Sequence, residues 1–463
     1  MITTNEMEKV LQTALSSGGD FAELFFEDKD ELNIKCSQQI LKGITSVHIF
    51  GAGIYVLLGT RSVYVYTNNL SFSGLMDAAK RAAELLNACE KLEKRRIVFS
   101  MQPVKNPNSV IQYPGTVPHS KKIEVIRETD SAARSAGHTI RQLNVDYFDT
   151  DQRILVVNSE GLYTEDRRVT TRLRLQATVE DGKTSHYEWT DFPRPYGFEA
   201  FKERNDYISF AQNFIRDIAD SMNAVSVPSC VVPVVLEAGS CGVIWHEACG
   251  HPLEATAIAA NNSDFAGKLG QKVASSKVTV IDDGSIPGLY GTAGIDDEGH
   301  PTQKNVLIEN GVLKGYLCDR LGGRKLNMPS TGSGRRQGYM FPPAARMTNT
   351  YLAPGTDDED EMISSIDEGL FVKRLGGGNS GREFSVSVSE GYWIKNGKIA
   401  HRVKGLMLNA RGIDLIKLVD RVGSKIKTEG GGFCGSISGL VTTTSFQPRI
   451  RISSMTVGGE GEV

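Results

Sequence analysis

The sequence predicts an α+β protein with two domains: an N-terminal α+β domain (1–225), in which helices pack on a sheet, and a C-terminal β-rich domain (226–463). The first observation is length, because 463 residues exceed one ordinary domain. The second is a composition of 40% hydrophobic and 23% charged residues, which is normal for a globular chain with a large core. The third is a change of pattern near residue 227, where glycine clusters and short strands become more frequent and helices fewer.

Hydrophobic periodicity predicts the elements of the first domain. Thr3 and Glu6 form a candidate capping box, and an apolar helical stripe follows from 7 to 15. A segment rich in Pro, Asn and Ser, 101–120, is expected to be a long loop or linker. Further helices are expected at about 73–89, 121–136 and 207–224. Alternating runs predict an antiparallel sheet, with strands at 21–26, 32–36, 46–50, 53–58, 62–67, 140–149, 153–158, 168–180 and 184–191.

The second domain is expected to be barrel-like, with the helix that carries the candidate metal ligands laid against its sheet. Ser240 is expected to cap that helix. Other helical stretches are expected at 253–269 and 411–422, and a flexible tail at 458–463. The expected strands are 231–236, 277–282, 304–309, 312–318, 383–389, 391–395 and 448–455.

Charge and cysteine usage exclude several classes of protein. A net charge of -3 gives no electrostatic basis for binding nucleic acid or an anionic membrane. No apolar run approaches the roughly 20 residues that cross a bilayer, and no signal peptide is visible. The seven cysteines are scattered and odd in number, so they do not form a secreted disulfide framework. Reduced thiols and a cytoplasmic location are expected.

The segment from His246 to His251 carries the strongest chemical signal. Two imidazoles can hold a divalent metal, and Glu247 can take a proton from water that the metal activates. The familiar H-E-x-x-H pattern places its histidines four residues apart, whereas here they are five apart. Five residues on an ideal helix turn a side chain about 140° away, against about 40° for four. An i→i+5 turn would bring the rings together; Gly250 loosens the backbone there and Pro252 ends the helix.

A catalytic zinc normally has three protein ligands and one open position, so a third ligand is expected. Cys434 is the leading candidate, because glycines on both sides leave its thiol unobstructed. A small buried cysteine in a glycine-rich turn is an equally good reading of that spacing. Cys249 is expected to be a packing residue. Glu254 remains open between a ligand, a partner to a histidine N–H, and a carboxylate at a helix start.

Other conspicuous segments have plainer interpretations. The glycine stretches 51–53 and 376–378 fit no phosphate-binding motif and predict tight turns or close backbone approach. The acidic run 357–361 complements the dipole of a following helix. The arginines, tyrosines and asparagine of 334–351 are suited either to holding a peptide carbonyl, carboxylate or oxyanion, or to solvated surface or pairing in the core.

Three stretches resemble the TldD/PmbA family, in its TldD-type branch that bears the metal motif. They are 246–254 (H-E-x-x-x-H followed by Leu-Glu), 334–355 (with Arg-Met-Thr-Asn-Thr-Tyr and Pro-Gly) and Phe-Cys-Gly at 433–435. The order of elements around them also fits, so the resemblance covers essentially the whole chain. Pro252 departs from the usual family residue, as do Ala255 and Thr256.

The resemblance implies a zinc metallopeptidase with ligands at His246, His251 and Cys434, and with Glu247 as general base. It also implies cleavage of short or unfolded peptides, and pairing as a homodimer or as a heterodimer with a PmbA-like sister subunit. One alternative is a non-catalytic metal- and peptide-binding or regulatory subunit. Another is a thiol hydrolase with Cys434 or Cys249 as nucleophile and a histidine as base.

Overall fold

The protein is a mixed α+β structure, as predicted. The computed structural model describes residues 2–87, 96–202, 206–379, 381, 383–428 and 430–459. Its helices are α1 (Thr4–Ala14), α2 (Phe72–Leu86), α3 (His119–Arg134), α4 (Asp206–Ser221), α5 (Val243–Trp245), α6 (Ala255–Ala259), α7 (Arg320–Leu326), α8 (Glu359–Ser364) and α9 (Gly412–Leu415). Each helix of the described part is too short or too polar to cross a lipid bilayer.

Seven strands of the first half form one sheet in the order β3-β2-β1-β5-β6-β4, with β7 also paired to β6. They are β1 (Phe21–Ser37), β2 (Ile40–Leu58), β3 (Arg61–Thr67), β4 (Ser100–Met101), β5 (Thr139–Asn158), β6 (Leu162–Glu180) and β7 (Ser185–Arg194). Except for the parallel pair β4–β6, neighbouring strands are antiparallel, as predicted. Pairs of short predicted runs are joined into single long strands.

One face of this sheet carries the helices, and the other faces the second half of the chain. Leu24 and Ile34, two even-numbered residues of β1, are fully buried in the clusters formed with α1 to α4. Successive strand residues point to opposite faces, so the odd-numbered Glu23 and Phe25 face the other way. There Glu23 meets Arg336 across a distance of 2.6 Å. The sheet therefore packs against helices on one face and against the second half of the chain on the other.

Several N-terminal predictions are confirmed. Thr3 and Glu6 form the capping box of α1, and α3 and α4 begin and end within three residues of the predicted bounds. Helix α2 ends when Asn87 adopts a left-handed φ of 43°; the predicted end at 89 lies outside the described residues. The same holds for residues 460–463 of the predicted tail. The domain boundary between 225 and 226 stays a prediction.

The second half contains sixteen described strands, arranged in three sheets. They are β8 (Val225–Ser226), β9 (Cys230–Leu236), β10 (Val280–Asp283), β11 (Lys304–Glu309), β12 (Val312–Leu313), β13 (Gly334–Arg335), β14 (Ala344–Ala345), β15 (Asn349–Leu352), β16 (Glu368–Asn379), β17 (Glu383–Lys395), β18 (Lys398–Lys404), β19 (Met407–Arg411), β20 (Val419–Ile426), β21 (Gly432–Ser436), β22 (Gly439–Phe446) and β23 (Pro448–Gly458).

Five of these strands close on themselves, which confirms the barrel-like prediction. The ring runs β16-β9-β23-β19-β17 and is completed by the pairing of β17 with β16. A second sheet has the order β12-β11-β10-β15-β22-β21 and ends at the strand that contains Cys434. The short helix before His246 packs between these sheets, since Ile244 and Trp245 are almost fully buried in their common core.

Three local predictions are wrong. Ser240 does not cap a helix: the N-cap is Gly239, with a φ of 95°, and the side chain of Ser240 makes no capping hydrogen bond. The helix predicted at 253–269 is reduced to α6, because Asn261 adopts a left-handed φ of 52°. The helix predicted at 411–422 is reduced to α9, because Val419 and Val422 pair with β23 instead.

Candidate metal centre

The two histidines face one another because the chain makes the predicted i→i+5 turn. Residues His246–Gly250 form a single π-helical turn, in which the N–H of His251 donates to the carbonyl oxygen of His246. The ring centroids are 4.8 Å apart, and the planes are nearly perpendicular at 86°. A 3₁₀ turn, His251–Leu253, contains Pro252 and ends the helical segment. The prediction drawn from the spacing of the two rings is confirmed.

Strand β21 brings the thiol of Cys434 to both rings. Its Sγ lies 3.0 Å from Nε2 of His246 and 3.1 Å from Nε2 of His251. These three residues are the group of the described chain whose donor atoms are placed to hold a metal ion. The plainer reading of Cys434, as a packing residue in a glycine-rich turn, does not account for contact with two imidazole nitrogens.

The three donor atoms would fit a zinc ion if they moved slightly apart. Zinc bonds of about 2.3 Å to sulfur and about 2.0–2.1 Å to nitrogen, at tetrahedral angles, put sulfur and nitrogen about 3.6 Å apart. The observed separations of 3.0 and 3.1 Å are about half an ångström shorter. One thiolate and two neutral imidazoles are also the ligand types that zinc prefers. Nδ1 of His246 is buried without a hydrogen-bond partner among the described residues, so no protein acceptor fixes that ring.

An open side remains next to the three donor atoms. A cavity of about 630 Å³ is lined by both histidines, Cys434 and Glu247. Glu247 is only 7% exposed, and burial raises the pKa of its carboxyl against the opposing pull of His251. A Cβ atom on Gly378 would lie 3.3 Å from Cγ of Glu247, so the glycine keeps that wall close to the carboxylate. The glycine stretch 376–378 is therefore a site of close approach, as predicted.

The two histidines differ in their affinity for a proton. Burial lowers the pKa of His246 well below its ordinary value, and the nearby His251 and Arg346 lower it further. Burial also disfavours charge on His251, but its contacts with Cys434 and Glu254 outweigh burial and raise its pKa to about 10. A metal ion bound here would replace that proton, so the affinity of the site for the metal would depend on pH.

Glu254 lies beside His251, which decides between the three roles left open by the sequence. Its Oε1 is 3.2 Å from Nδ1 of His251, on the ring edge opposite to Cys434. It makes no side-chain cap at the start of α6. The structure therefore favours the role of ion-pair partner to His251, at a distance that orients this edge of the ring.

Gly250 has a spatial role rather than the conformational one expected. Its φ of -56° and ψ of -67° are open to any residue. A Cβ atom at this position would instead collide with Sδ of Met347. Glycine thus lets the π-turn pack directly against the segment that follows β14.

The arginines of 334–351 are buried, and each of them contacts other residues of the core. Arg335 donates to the carbonyl oxygens of Met347 and Thr442. Arg336 pairs with Glu23, and Arg346 is fully buried. These contacts favour the core-pairing alternative. Sequence reasoning did not assign these contacts, because arginine spacing carries no signal of its partners.

Cys249 is a packing residue, as predicted. It is fully buried in the main core of the second half, and burial raises the pKa of its thiol. The thiol-hydrolase role once open to it is disfavoured, since the thiolate is the reactive form.

These features define a class of protein: a mixed α+β chain with a buried His-His-Cys cluster open to a cavity on one side. Models of the PmbA/TldA metallopeptidase family match it in three parts, domain 1 over 22–86, the central domain over 112–222 and the C-terminal domain over 229–459. The chain belongs to the PmbA/TldD metallopeptidase family, which confirms the resemblance.

Individual relatives agree with this assignment. A "Metalloprotease TldD homolog" of Haemophilus influenzae is 32% identical over 455 residues, covering 95% of this chain and 93% of the relative. A "Metalloprotease" of Methanothermobacter thermautotrophicus is 34% identical over 349 residues, covering 75% and 76%. Among solved structures, TldE from Thermococcus kodakarensis has a TM-score of 0.70 at 16% identity, over 98% of this chain and all of that one. A Thermotoga maritima protein has a TM-score of 0.77 at 20% identity, over 98% and 99%.

Proposed function

We propose that this protein is a zinc-dependent metallopeptidase that hydrolyses short or unfolded peptides. His246, His251 and Cys434 hold the zinc ion, and Glu247 is the general base. The observation that carries the proposal is the contact of one thiol with two imidazole nitrogens beside a cavity that Glu247 also lines. Membership in a metallopeptidase family supports the same reaction class.

The proposed role of each residue follows from its chemistry. When bound, zinc supplies Lewis-acid chemistry that acidifies water and polarises a peptide carbonyl. Glu247 accepts the proton of the attacking water and delivers it to the leaving amine. The raised pKa of its buried carboxyl suits both steps, because a group that first accepts and then donates a proton works best when its pKa lies near the ambient pH.

The test is the variant Glu247→Ala assayed on an unstructured peptide. It should retain zinc and lose hydrolysis, while Glu309→Ala, which changes an exposed glutamate of β11, should retain both. Hydrolysis by the unchanged protein should stop with a chelator and return with added zinc. Unchanged turnover in Glu247→Ala would end the proposal. Zinc binding without any hydrolysis would favour a non-catalytic, regulatory subunit.

A second function is favoured by the same geometry. A thiol 3.0 Å from an imidazole nitrogen is also the arrangement of a cysteine hydrolase, with Cys434 as nucleophile and His246 as base. The two mechanisms can be distinguished by experiment in solution. Hydrolysis that resists chelation and is abolished by alkylation of Cys434 would select the thiol mechanism.

We also propose that the chain acts as a homodimer or as a heterodimer with a PmbA-like sister, in the cytoplasm. The similarity to TldE supports a paired assembly. The six cysteines that lie in the described residues are free thiols, which suits a reducing compartment. Light scattering of the purified chain, alone and mixed with a sister chain, should give a dimer in one of the two samples. Monomers in both would contradict the pairing.

A further inference from the structure

Arg346 is the most deeply buried arginine near the candidate metal centre. The whole residue is inaccessible to solvent. Among the described residues, Glu254 is the one carboxylate within ion-pair distance, with Nε of Arg346 3.5 Å from Oε1 of Glu254. The other side of the guanidinium faces the turn that joins β21 to β22, where Nη1 donates to Oγ of Ser438 and to the carbonyl oxygen of Gly439.

These contacts join the two elements that carry the candidate ligands. Glu254 contacts Nδ1 of His251, so the path from the ring through the carboxylate to Arg346 spans contacts of 3.2 and 3.5 Å. The turn at Ser438 belongs to the hairpin that carries Cys434. One guanidinium therefore bridges an element of the π-turn region and an element of the cysteine strand, which come from distant parts of the chain.

Stability alone does not explain a charge in this position. Burying an ion pair costs several kcal/mol per ion in desolvation, and an apolar pair of equal volume is often as stable or more so. Here the geometry is also incomplete, because Nε and Nη2 of Arg346 and Oε1 of Glu254 lack hydrogen-bond partners among the described residues. A costly group of this kind calls for a role other than packing.

Arg336 provides the natural comparison. It lies in the same segment and is also buried, but it donates to Glu23 and to the carbonyl oxygen of Asp297. Within the described part of the chain, its side-chain hydrogen bonds and its ion pair involve neither the π-turn nor the β21–β22 hairpin. The two arginines therefore separate the general effect of removing a buried guanidinium from an effect on the metal centre.

We propose that Arg346 is a positioning residue: through Glu254 on one side and the β21–β22 turn on the other, it sets the separation between His251 and Cys434. The expected change in zinc affinity rests on the proposed function, whereas the expected change in amide exchange of the hairpin does not. Arg346 acts through these neighbours and does not touch the reacting atoms. We expect its guanidinium to be required, because Nε contacts Glu254 while Nη1 donates to the carbonyl oxygen of Gly439.

The experiment compares Arg346→Met, Arg346→Lys and Glu254→Gln with Arg336→Met in the full-length protein. Zinc affinity is measured by competition with a chromophoric chelator. Backbone amide exchange of the β21–β22 hairpin is measured by mass spectrometry after the metal has been removed. Losing an outer partner of a metal ligand typically costs 10–100-fold in metal affinity, and we expect a loss of about that size in Arg346→Met. Arg336→Met should keep its zinc affinity, and the hairpin should exchange faster in both Arg346 variants than the general loss of stability in Arg336→Met explains.

Each outcome decides the matter. Unchanged affinity and exchange in the Arg346 variants would overturn the inference, as would equal losses in Arg336→Met, which would mark a general loss of stability. If Arg346→Met does not fold, Arg346→Lys and Glu254→Gln carry the same comparison. If the unchanged protein binds no zinc, the proposed function is wrong, and the exchange of the hairpin alone decides whether Arg346 holds it.

Discussion

The Sγ atom of Cys434 lies 3.0 Å from Nε2 of His246, although 188 residues separate them along the chain. The hairpin of β21 and β22 brings these distant residues together. Strand β22 pairs in parallel with β15, and this pairing fixes β21 at the edge of the second sheet. A contact made by strand pairing on one side and a π-turn on the other needs both elements to be correctly placed.

Cys434→Ser should bind zinc at least about 100-fold more weakly than the unchanged protein, since a ligand matters more than the outer partners whose loss costs 10–100-fold. A neutral hydroxyl replaces the thiolate that zinc prefers. A competition titration measures the affinity. Cys230→Ser is the control, because Cys230 is a free, partly exposed thiol. Equal affinity in both variants would remove Cys434 from the site.

Gly250→Ala should lower the free energy of unfolding by about 1–3 kcal/mol, as overpacking of a well-packed core does. The added methyl group collides with Sδ of Met347. Denaturant unfolding measures the change. Gly43→Ala is the matched control, because a Cβ there meets nothing within 4 Å; its change should stay within about 0.5 kcal/mol. No effect at Gly250 would mean that Met347 can move away freely.

Glu298→Gln should stabilise the protein increasingly as pH rises. Glu298 is fully buried, and burial raises its pKa well above the ordinary value, with Asp319 and Glu23 adding to the effect. The folded state then binds a proton that the unfolded state releases from about pH 4 upward, so the stability from this group is lost as pH rises. Asp296 and Asp319, whose pKa values burial raises to about 6, contribute the same sign up to about that pH.

Urea unfolding of Glu298→Gln and of the unchanged protein at about pH 5 and about pH 8 measures this difference. Glu165→Gln, which alters an exposed glutamate of β6, should show the same difference at both pH values. A benefit of Glu298→Gln that shrinks toward high pH would have the wrong sign and would contradict the prediction.

Arg336→Met should cost about 3–5 kcal/mol of stability, because it leaves the Glu23 carboxylate buried and unpaired. Both side chains are completely inaccessible to solvent, and they join the N-terminal sheet to the second half. The double variant Glu23→Gln with Arg336→Met should recover much of the loss, since no lone charge remains. Thermal and denaturant unfolding provide the comparison. A double variant as unstable as the single one would mean that shape, not charge, dominates the contact.

Much of the centre could be predicted from local sequence. Five-residue spacing excludes a plain helix as the support for His246 and His251, and the π-turn follows from that geometry alone. The capping box of α1 likewise follows from the local sequence, and the strands of the first sheet other than β4 follow from local periodicity. Glycines around Cys434 indicated an accessible thiol but did not separate a ligand from a packing residue, and only the family resemblance favoured a ligand.

The rest depends on contacts that local patterns do not encode. Glu254 could be assigned only once its distance to His251 was known. The role of Gly250 depends on Met347, and the bridge made by Arg346 depends on a turn near residue 438. The helices predicted at 253–269 and 411–422 were wrong because tertiary pairing and left-handed asparagine override helical periodicity.

X-ray absorption at the zinc edge of the purified, zinc-loaded protein would test the three-residue metal centre most directly. We predict one sulfur neighbour at about 2.3 Å and two nitrogen neighbours at about 2.0–2.1 Å, with the remaining position taken by a light atom. In Cys434→Ser the sulfur neighbour should disappear. A spectrum of bound zinc without sulfur in the unchanged protein, or a protein that binds no zinc, would contradict the assignment of His246, His251 and Cys434.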